Sequence, residues 1–339
     1  MSIFEYIQKN IIDDDHLPED FALPRLEEKG LPWVDGGKDG VFLYHVGEKN
    51  IEESDELQIQ AAINMLRPGA GEDVFETIDL IFANMGEKYG ALALIDAIQL
   101  YIPEHAEELD AEMIFQYSIH AITESDNREI VKIGIELQEV FQVQEDDIKD
   151  LIRMMALSDE FALFCFYVMK SWDDGDVSIM EAGKRLHGWG RIHAVQMVEP
   201  KTALIKSWLI KDAINNTVDL NYSAFECFEK GGARKKLKGE ISQEEFKGIA
   251  TIIQSIMAGG PFGGIENLPN SEEVVRDFVA QALKHELDVE TYELIWSMGV
   301  LISDNPRAID VSKNIESIIT DPHCKEVMEK AGKELKNEK

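Results

Sequence analysis

The stretch from His187 to Val195, HGWGRIHAV, gathers the side chains best able to do chemistry in this sequence. Two histidines could ligate a metal or exchange a proton, and an arginine could hold an anion. On a continuous helix, however, His187 and His193 would diverge by about 120°, so the spacing predicts no two-histidine metal site. Gly188 and Gly190 favour a tight join between helices, because each glycine costs about 1 kcal/mol relative to alanine in a helix interior.

A second glycine-rich stretch, DGGKDG at Asp35–Gly40, has the composition of a calcium-binding loop. An EF-hand loop counted from Asp35 needs glutamate at its twelfth position, where this sequence has Val46. Asp-Gly is a strong turn signal, so this stretch and the following VFLYHV are expected to form a short hairpin or an extended cap segment. The sequence contains no G-x-G-x-x-G, Walker A, G-x-S-x-G or H-E-x-x-H motif, and we therefore predict no cofactor, no metal and no catalytic residue.

Charge and cysteine content narrow the class of protein. The net charge of −32 would repel nucleic acid phosphates and anionic lipid, so neither nucleic acid nor a membrane is an expected partner. Cys165, Cys227 and Cys324 lie far apart, which is typical of a reducing compartment and not of a disulfide scaffold. The N-terminus lacks the pattern of a signal peptide, and the longest apolar run, Phe161–Met169, is too short to span a bilayer. A cytoplasmic protein is expected.

One basic block interrupts this acidic chain. From Gly183 to Lys238 there are eleven Lys and Arg against five Asp and Glu, a local charge of +6. Such a block could form a positive groove for an anionic ligand or an acidic peptide. Alternatively, its bases could pair with acidic residues of neighbouring helices and simply neutralise them.

Helical periodicity extends from about residue 54 to the C-terminus. Apolar residues recur at i, i+3, i+7 and i+10 in Phe75–Met85 and again in Phe246–Ile256, and Ser242 and Glu245 form a capping-box pattern. The run Phe161–Met169 is apolar on all sides, which predicts a helix sandwiched between neighbours. Helix pairs are expected to begin near residues 72, 109, 145 and 178, and this regular spacing predicts an α-solenoid.

Two resemblances add to this pattern. The run GRIHAVQMV, followed by Pro200 and ALIKSWLIKDAI, resembles the second helix of one HEAT-type repeat and the first helix of the next. The resemblance covers about residues 72–258 and implies an all-α solenoid of HEAT- or armadillo-like helix pairs, a fold that mostly binds other molecules. The chain also resembles bacterial proteins labelled limonene hydroxylase. A hydroxylase needs haem, flavin or iron to activate oxygen, and the sequence shows no recognisable site for any of them.

The predicted organisation has three parts: an irregular N-terminal cap with a short hairpin (1–53), a HEAT-like array (54–258) and a C-terminal helical extension (271–339). The predicted function is a non-catalytic binding or scaffold protein whose groove holds an acidic peptide, a protein or a small anionic ligand. An enzyme with a non-standard site is the alternative. Arginine and lysine would supply charge, tryptophan flat apolar contact, and histidine and asparagine hydrogen bonds. The predicted ligand-binding residues are Arg185, His187, Trp189, Arg191, His193, Trp208, Lys211, Asn215 and Asn216.

Overall fold

The computed structural model describes residues 1–13, 15–24, 32–47, 49–141, 145–303 and 308–337, with side chains up to residue 331. Within these ranges the regular structure is helical, and the only β-type pairing is one isolated bridge between Ile12 and His16. The predicted all-α class is confirmed. The stacking of the helices as a HEAT-like solenoid remains a prediction.

The chain divides into two compact units, Met1–Val198 and Glu199–Lys339. The first unit contains eleven α-helices in its described residues, and a five-residue π-turn, Phe42–Val46, follows the second helix. The helices are α1 (Ile3–Asn10), α2 (Gly37–Val41), α3 (Glu53–Ile63), α4 (Phe75–Tyr89), α5 (Ala91–Glu104), α6 (Ala111–Glu124), α7 (Arg128–Phe141), α8 (Asp146–Met155), α9 (Ala162–Lys170), α10 (Gly175–Gly183) and α11 (Trp189–Met197).

The core of this unit forms around α7 and α9. Helix α7 packs against α4, α5, α6 and α9, and every residue from Ile130 to Gln138 is buried. Helix α9 packs against α7, α8, α10 and α11, so the expectation of a sandwiched apolar helix is confirmed. The predicted stripe of α4 is also buried, since Phe75 and Phe82 are at most 4% exposed. Burial of these large apolar side chains is the main term stabilising the unit.

The second unit is built in the same way from eight helices in its described residues. Helix α15 begins at the predicted capping box, in which Ser242 and Glu245 satisfy each other's backbone N–H groups. The helices are α12 (Ala203–Lys211), α13 (Asn221–Lys230), α14 (Ala233–Leu237), α15 (Gln243–Ala258), α16 (Ser271–Ala282), α17 (Val289–Ile302), α18 (Ile309–Ile319) and α19 (Pro322–Asn337).

The segment expected to form a hairpin is helical instead. Gly37–Val41 forms α2, and Phe42–Val46 continues it as a π-turn that ends at Gly47. A five-residue helix is not stable alone, because nucleation is costly. The tertiary contacts described below therefore decide the conformation of this segment. Across the described residues, no helix combines the length and apolar content that crossing a bilayer requires.

Candidate functional site

The two glycine motifs, about 150 residues apart in sequence, meet in the first unit. The backbone of Gly36–Gly40 lies directly on the indole of Trp189. A Cβ atom at Gly40 would lie 2.6 Å from Trp189 Cδ2 and Cζ3, and one at Gly37 would lie 3.4 Å from Nε1. Only glycine permits so close an approach of backbone to ring. The motifs thus dock α2 onto the start of α11.

Tyr44, on the π-turn, packs against the same tryptophan and against His193. Its ring stacks on those of Trp189 and His193, with centroids 6.2 Å and 5.6 Å away, and its hydroxyl lies 2.9 Å from His193 Nδ1. His193 is fully buried, and burial lowers its pKa to about 3, so the ring is neutral. Its Nε2 atom has no hydrogen-bond partner in the described structure. π-turns are frequent at functional sites.

Asp159 anchors the N-terminus of α11. Its carboxylate accepts hydrogen bonds from Gly190 N at 2.6 Å and from Gly188 N at 3.1 Å. A Cβ atom at Gly190 would lie 2.8 Å from Ala162 Cβ, so the join leaves no room for a side chain. The expectation of a tight join is confirmed. A helix N-terminus favours a carboxylate, but burial has the larger effect and raises the pKa of Asp159 to about 6.

Arg191 caps the C-terminal end of the preceding helix, α10. Its guanidinium donates from Nη1 to the carbonyl oxygens of Leu186 at 3.3 Å and Gly183 at 3.4 Å, where α10 ends. Arginine suits this position because the last carbonyls of a helix lack intrahelical donors. With 3% of its surface exposed, Arg191 faces the core.

A buried ion network holds α2 against α7 and the start of α9. The ammonium of Lys132, which is fully buried, lies 2.6 Å from Asp39 Oδ2 and 2.6 Å from Glu160 Oε1. Burial alone would lower the pKa of Lys132, but the surrounding carboxylates raise it well above its usual value. Burial also raises the pKa of Asp39 to about 6, against the opposing effect of Lys132. Arg128 extends the network to Asp35 at 2.9 Å.

A pocket opens beside this network, at the N-terminal end of α5. It is a shallow cleft that opens to solvent, and it is lined by Lys38, Asp39, Phe42, Tyr89, Gly90, Leu92 and Ala93. Gly90 has a φ of 89°, which strongly favours glycine, and a Cβ atom there would contact the Lys38 side chain. We name this cleft the α5 pocket.

Lys38 is the cation of the α5 pocket. Its side chain is 29% exposed, and its Nζ lies 2.8 Å from Glu129 Oε1. Burial acts to raise the pKa of Glu129, but the charges of Lys132 and Lys38 and the N–H of Ala91 hold it below its usual value. Glu129 therefore remains a carboxylate at neutral pH, and Lys38 beside it is partly open to solvent.

Two more lysines surround the rim of the α5 pocket. Lys49 Nζ lies 5.7 Å from the centroid of Phe42, and Lys88 Nζ lies 4.9 Å from that of Tyr89. The first unit as a whole contains 15 Lys and Arg against 41 Asp and Glu, a net charge of −26. Lys88 is already paired with Asp55 at 2.6 Å and with Glu52 at 3.3 Å, so it adds little net positive charge to the rim.

The predicted ligand-binding residues are divided between the two units. In the first, Trp189, Arg191 and His193 are buried and act in packing and helix capping. Arg185 is half-buried and donates to the Glu181 carbonyl oxygen, whereas His187 is exposed. A binding role for these residues remains a prediction.

In the second unit, four predicted residues are placed by local contacts. Trp208 is 5% exposed, and Lys211 Nζ lies 2.6 Å from Glu244 Oε2. Asn215 Nδ2 donates to a neighbouring aspartate, and Asn216 Oδ1 accepts two backbone N–H groups in the following turn. These contacts account for Lys211, Asn215 and Asn216 without a ligand, whereas Trp208 Nε1 is buried with no hydrogen-bond partner among the described residues. Binding by all four remains a prediction.

The basic block is largely paired. At least seven of its eleven cations lie within 4.0 Å of a carboxylate, so the predicted pairing is observed, although Lys184 and Lys230 pair with glutamates of their own helices and not of neighbouring ones. These seven are Lys184, Arg185, Lys211, Lys230, Arg234, Lys236 and Lys238.

The α5 pocket and the ion network were missed at the sequence level. The signals were a lone lysine, Lys132, inside the apolar run of α7, and the lysine of DGGKDG, which was interpreted as part of a turn. In the described part of the chain, no cluster of histidine, cysteine and carboxylate side chains has the arrangement that a metal ion requires. No known protein family, curated protein or solved structure matches this chain.

Proposed function

We propose that this chain is a non-catalytic binding protein of the cytoplasm, with HEAT-like stacking of its helices, which holds a small carboxylate ligand in the α5 pocket. The observation that carries the proposal is the Lys38 ammonium, partly open to solvent at a cleft formed by the first turn of a 14-residue helix. The proposal keeps the predicted class of ligand, a small anion, and places it away from the HGWGRIHAV motif.

The chemistry of the wall favours an anion. The N–H groups of Leu92 and Ala93 lie in the first turn of α5, where no acceptor within the helix is available. The third N–H of that turn, from Ala91, already donates to the Glu129 carboxylate. The helix dipole adds a partial positive charge at this end. An anion between these N–H groups and Lys38 would therefore be held from two sides.

The surroundings limit the ligand to one negative charge. Lys38 already pairs with Glu129, and Asp39, which also lines the pocket, is paired with Lys132. Of the two rim lysines, Lys88 is already paired with Asp55 and Glu52, so a ligand with two or three charges would meet these carboxylates with little positive charge left to balance it. A carboxylate fits this balance better than a phosphate.

The rest of the pocket wall favours a ligand with a short apolar chain. Phe42, Tyr89, Leu92 and Ala93 line the pocket with aromatic and aliphatic surface. The cleft is shallow and open to solvent, so it suits a small molecule and not a drug-sized ligand. A carboxylic acid with a short apolar chain satisfies both the charge and the size.

Titration with butanoate and with the neutral butanamide tests this proposal. The wild-type protein should bind butanoate with a Kd on the order of 1 mM and bind butanamide at least tenfold more weakly, since each tenfold step is about 1.4 kcal/mol. Lys38→Gln should weaken butanoate binding about tenfold, because a charged hydrogen bond contributes about 1.5–3 kcal/mol. Lys38→Arg should retain part of the affinity.

Lys235→Gln is the matched control, because Lys235 is exposed and lies in the second unit. It should leave butanoate binding unchanged. Equal binding of acid and amide, or wild-type affinity in Lys38→Gln, would remove the proposal. Haem, flavin or stoichiometric iron in the purified protein would favour the hydroxylase alternative.

A further inference from the structure

Helix α17 exposes an apolar surface that packs on nothing in the described structure. Trp296 is 61% exposed, and Val300 and Leu301 are 57% and 48% exposed. By contrast, three of the other four tryptophans, Trp172, Trp189 and Trp208, are at most 5% exposed. A tryptophan left in solvent beside two exposed aliphatic residues is typical of a binding surface, because tryptophan dominates interface hot spots.

The same face of α17 is acidic toward its N-terminus. Glu290 and Glu293 are exposed. Glu293 precedes Trp296 by three residues and Glu290 precedes Leu301 by eleven, so each glutamate lies on the same side of the helix as one of these apolar residues. Neither glutamate has an ion-pair partner among the described residues. The stripe therefore combines an unpaired acidic half with an apolar half. We name Glu290, Glu293, Trp296, Val300 and Leu301 the α17 stripe.

We propose that the α17 stripe docks a basic amphipathic helix of a partner protein. Its apolar side chains would cover Trp296 and Val300, and its lysine or arginine side chains would lie opposite Glu290 and Glu293. A helix that docks in this way needs apolar residues on one face and matched charge beside them. This surface is independent of the α5 pocket and of the ligand proposed for it.

Charge complementarity decides between this partner and a second copy of the chain. In a twofold dimer the two glutamates of one copy would face either the same glutamates, if the helices are parallel, or Val300 and Leu301, if they are antiparallel. Neither arrangement supplies a cation for them. The net charge of −32 on each copy adds electrostatic repulsion. A basic helix removes both costs, and it also explains why apolar and acidic residues share one face.

A synthetic 14-residue helix of leucine and lysine, with the pattern LKKLLKL repeated twice, is the probe. Its affinity for the full chain is measured by fluorescence anisotropy at two salt concentrations. Trp296→Ala should weaken binding at least tenfold, since truncating a hot-spot tryptophan has effects of this size. The double variant with Glu290→Gln and Glu293→Gln should bind more weakly and with a shallower salt dependence.

Leu100→Ala is the matched control, because Leu100 is 74% exposed on α5 in the first unit. It should leave the affinity within about twofold of wild type, and circular dichroism verifies that each variant is folded. No binding of the peptide, or an equal loss in Trp296→Ala and Leu100→Ala, would overturn the proposal. So would a dimer in sedimentation velocity that Trp296→Ala dissociates, because it would assign the stripe to a second copy.

Discussion

Replacing Gly40 with alanine gives two opposite expectations, and the structure decides between them. Gly40 lies within α2 at a negative φ, where alanine should stabilise a helix by about 1 kcal/mol. The added Cβ would, however, lie 2.6 Å from two ring atoms of Trp189. That ring is 4% exposed, and Asp159 fixes the helix that carries it, so the ring has little freedom to retreat. Overpacking of this kind costs about 1–3 kcal/mol.

We expect a cost near the upper end of this range, because the contact is with rigid ring atoms. The net loss should be about 2 kcal/mol, concentrated in the docking of α2. Hydrogen exchange measured by mass spectrometry should show protection of the amides of residues 35–47 falling about 30-fold in Gly40→Ala, since about 1.4 kcal/mol corresponds to tenfold.

Two comparisons separate the clash from a general effect. Gly239→Ala should change stability by less than about 0.5 kcal/mol, because its Cβ would lie 3.7 Å from the nearest atom, Lys236 O. In a Trp189→Leu background, Gly40→Ala should cost less than in wild type, since the smaller side chain leaves room. Unchanged or increased protection in Gly40→Ala, or an equal cost in both backgrounds, would refute the reasoning.

Three further predictions concern the same region. Lys132→Met should destabilise the first unit by about 3–5 kcal/mol in urea melts at pH 7, because Asp39 would be buried without its cation; at pH 5 the loss should be smaller. Tyr44→Phe should cost about 1–2 kcal/mol, since the ring of His193 would lose the one side-chain hydrogen bond that it makes among the described residues; an unchanged free energy of unfolding would show that this bond does not stabilise the fold. The raised pKa of Asp159, about 6, means that the folded state binds the proton more tightly than the unfolded state. Its contribution should therefore fall by roughly 3 kcal/mol as pH rises from about 4 to 6, and Asp159→Asn should abolish that slope.

Where the sequence predicted the fold correctly, local spacing determined the result. The apolar residues in Phe75–Met85 recur at helical spacing, and a helix of this kind buries one apolar stripe. Both the helix and its buried face could therefore be predicted from the sequence. The capping box at Ser242 is equally local. Neither prediction depended on where the neighbouring helices lie.

The face of α11 could not be predicted for a different reason. Seven of its nine residues, from Trp189 to Val195, are buried, so the helix has no polar side from which periodicity could assign a groove. The sequence suggested that Arg191 binds an anion, because nothing within α11 shows that its guanidinium donates to carbonyl oxygens of the preceding helix and turn. Similarly, Asp-Gly indicated a turn at Asp35–Gly40, but packing on Trp189, about 150 residues away, stabilises a helix there. Contacts between residues so distant in sequence have no local signature.

The ligand proposal is tested most directly by mapping butanoate binding on the ¹⁵N-labelled protein by NMR. The largest chemical-shift changes should fall on the amides of residues 91–93, with smaller ones at Lys38 and Phe42, because these groups form the wall of the α5 pocket. Gly40→Ala should reduce the changes, since α2 carries Lys38. Shifts confined to residues 203–216, or no shifts at saturating butanoate, would contradict the assignment of the site.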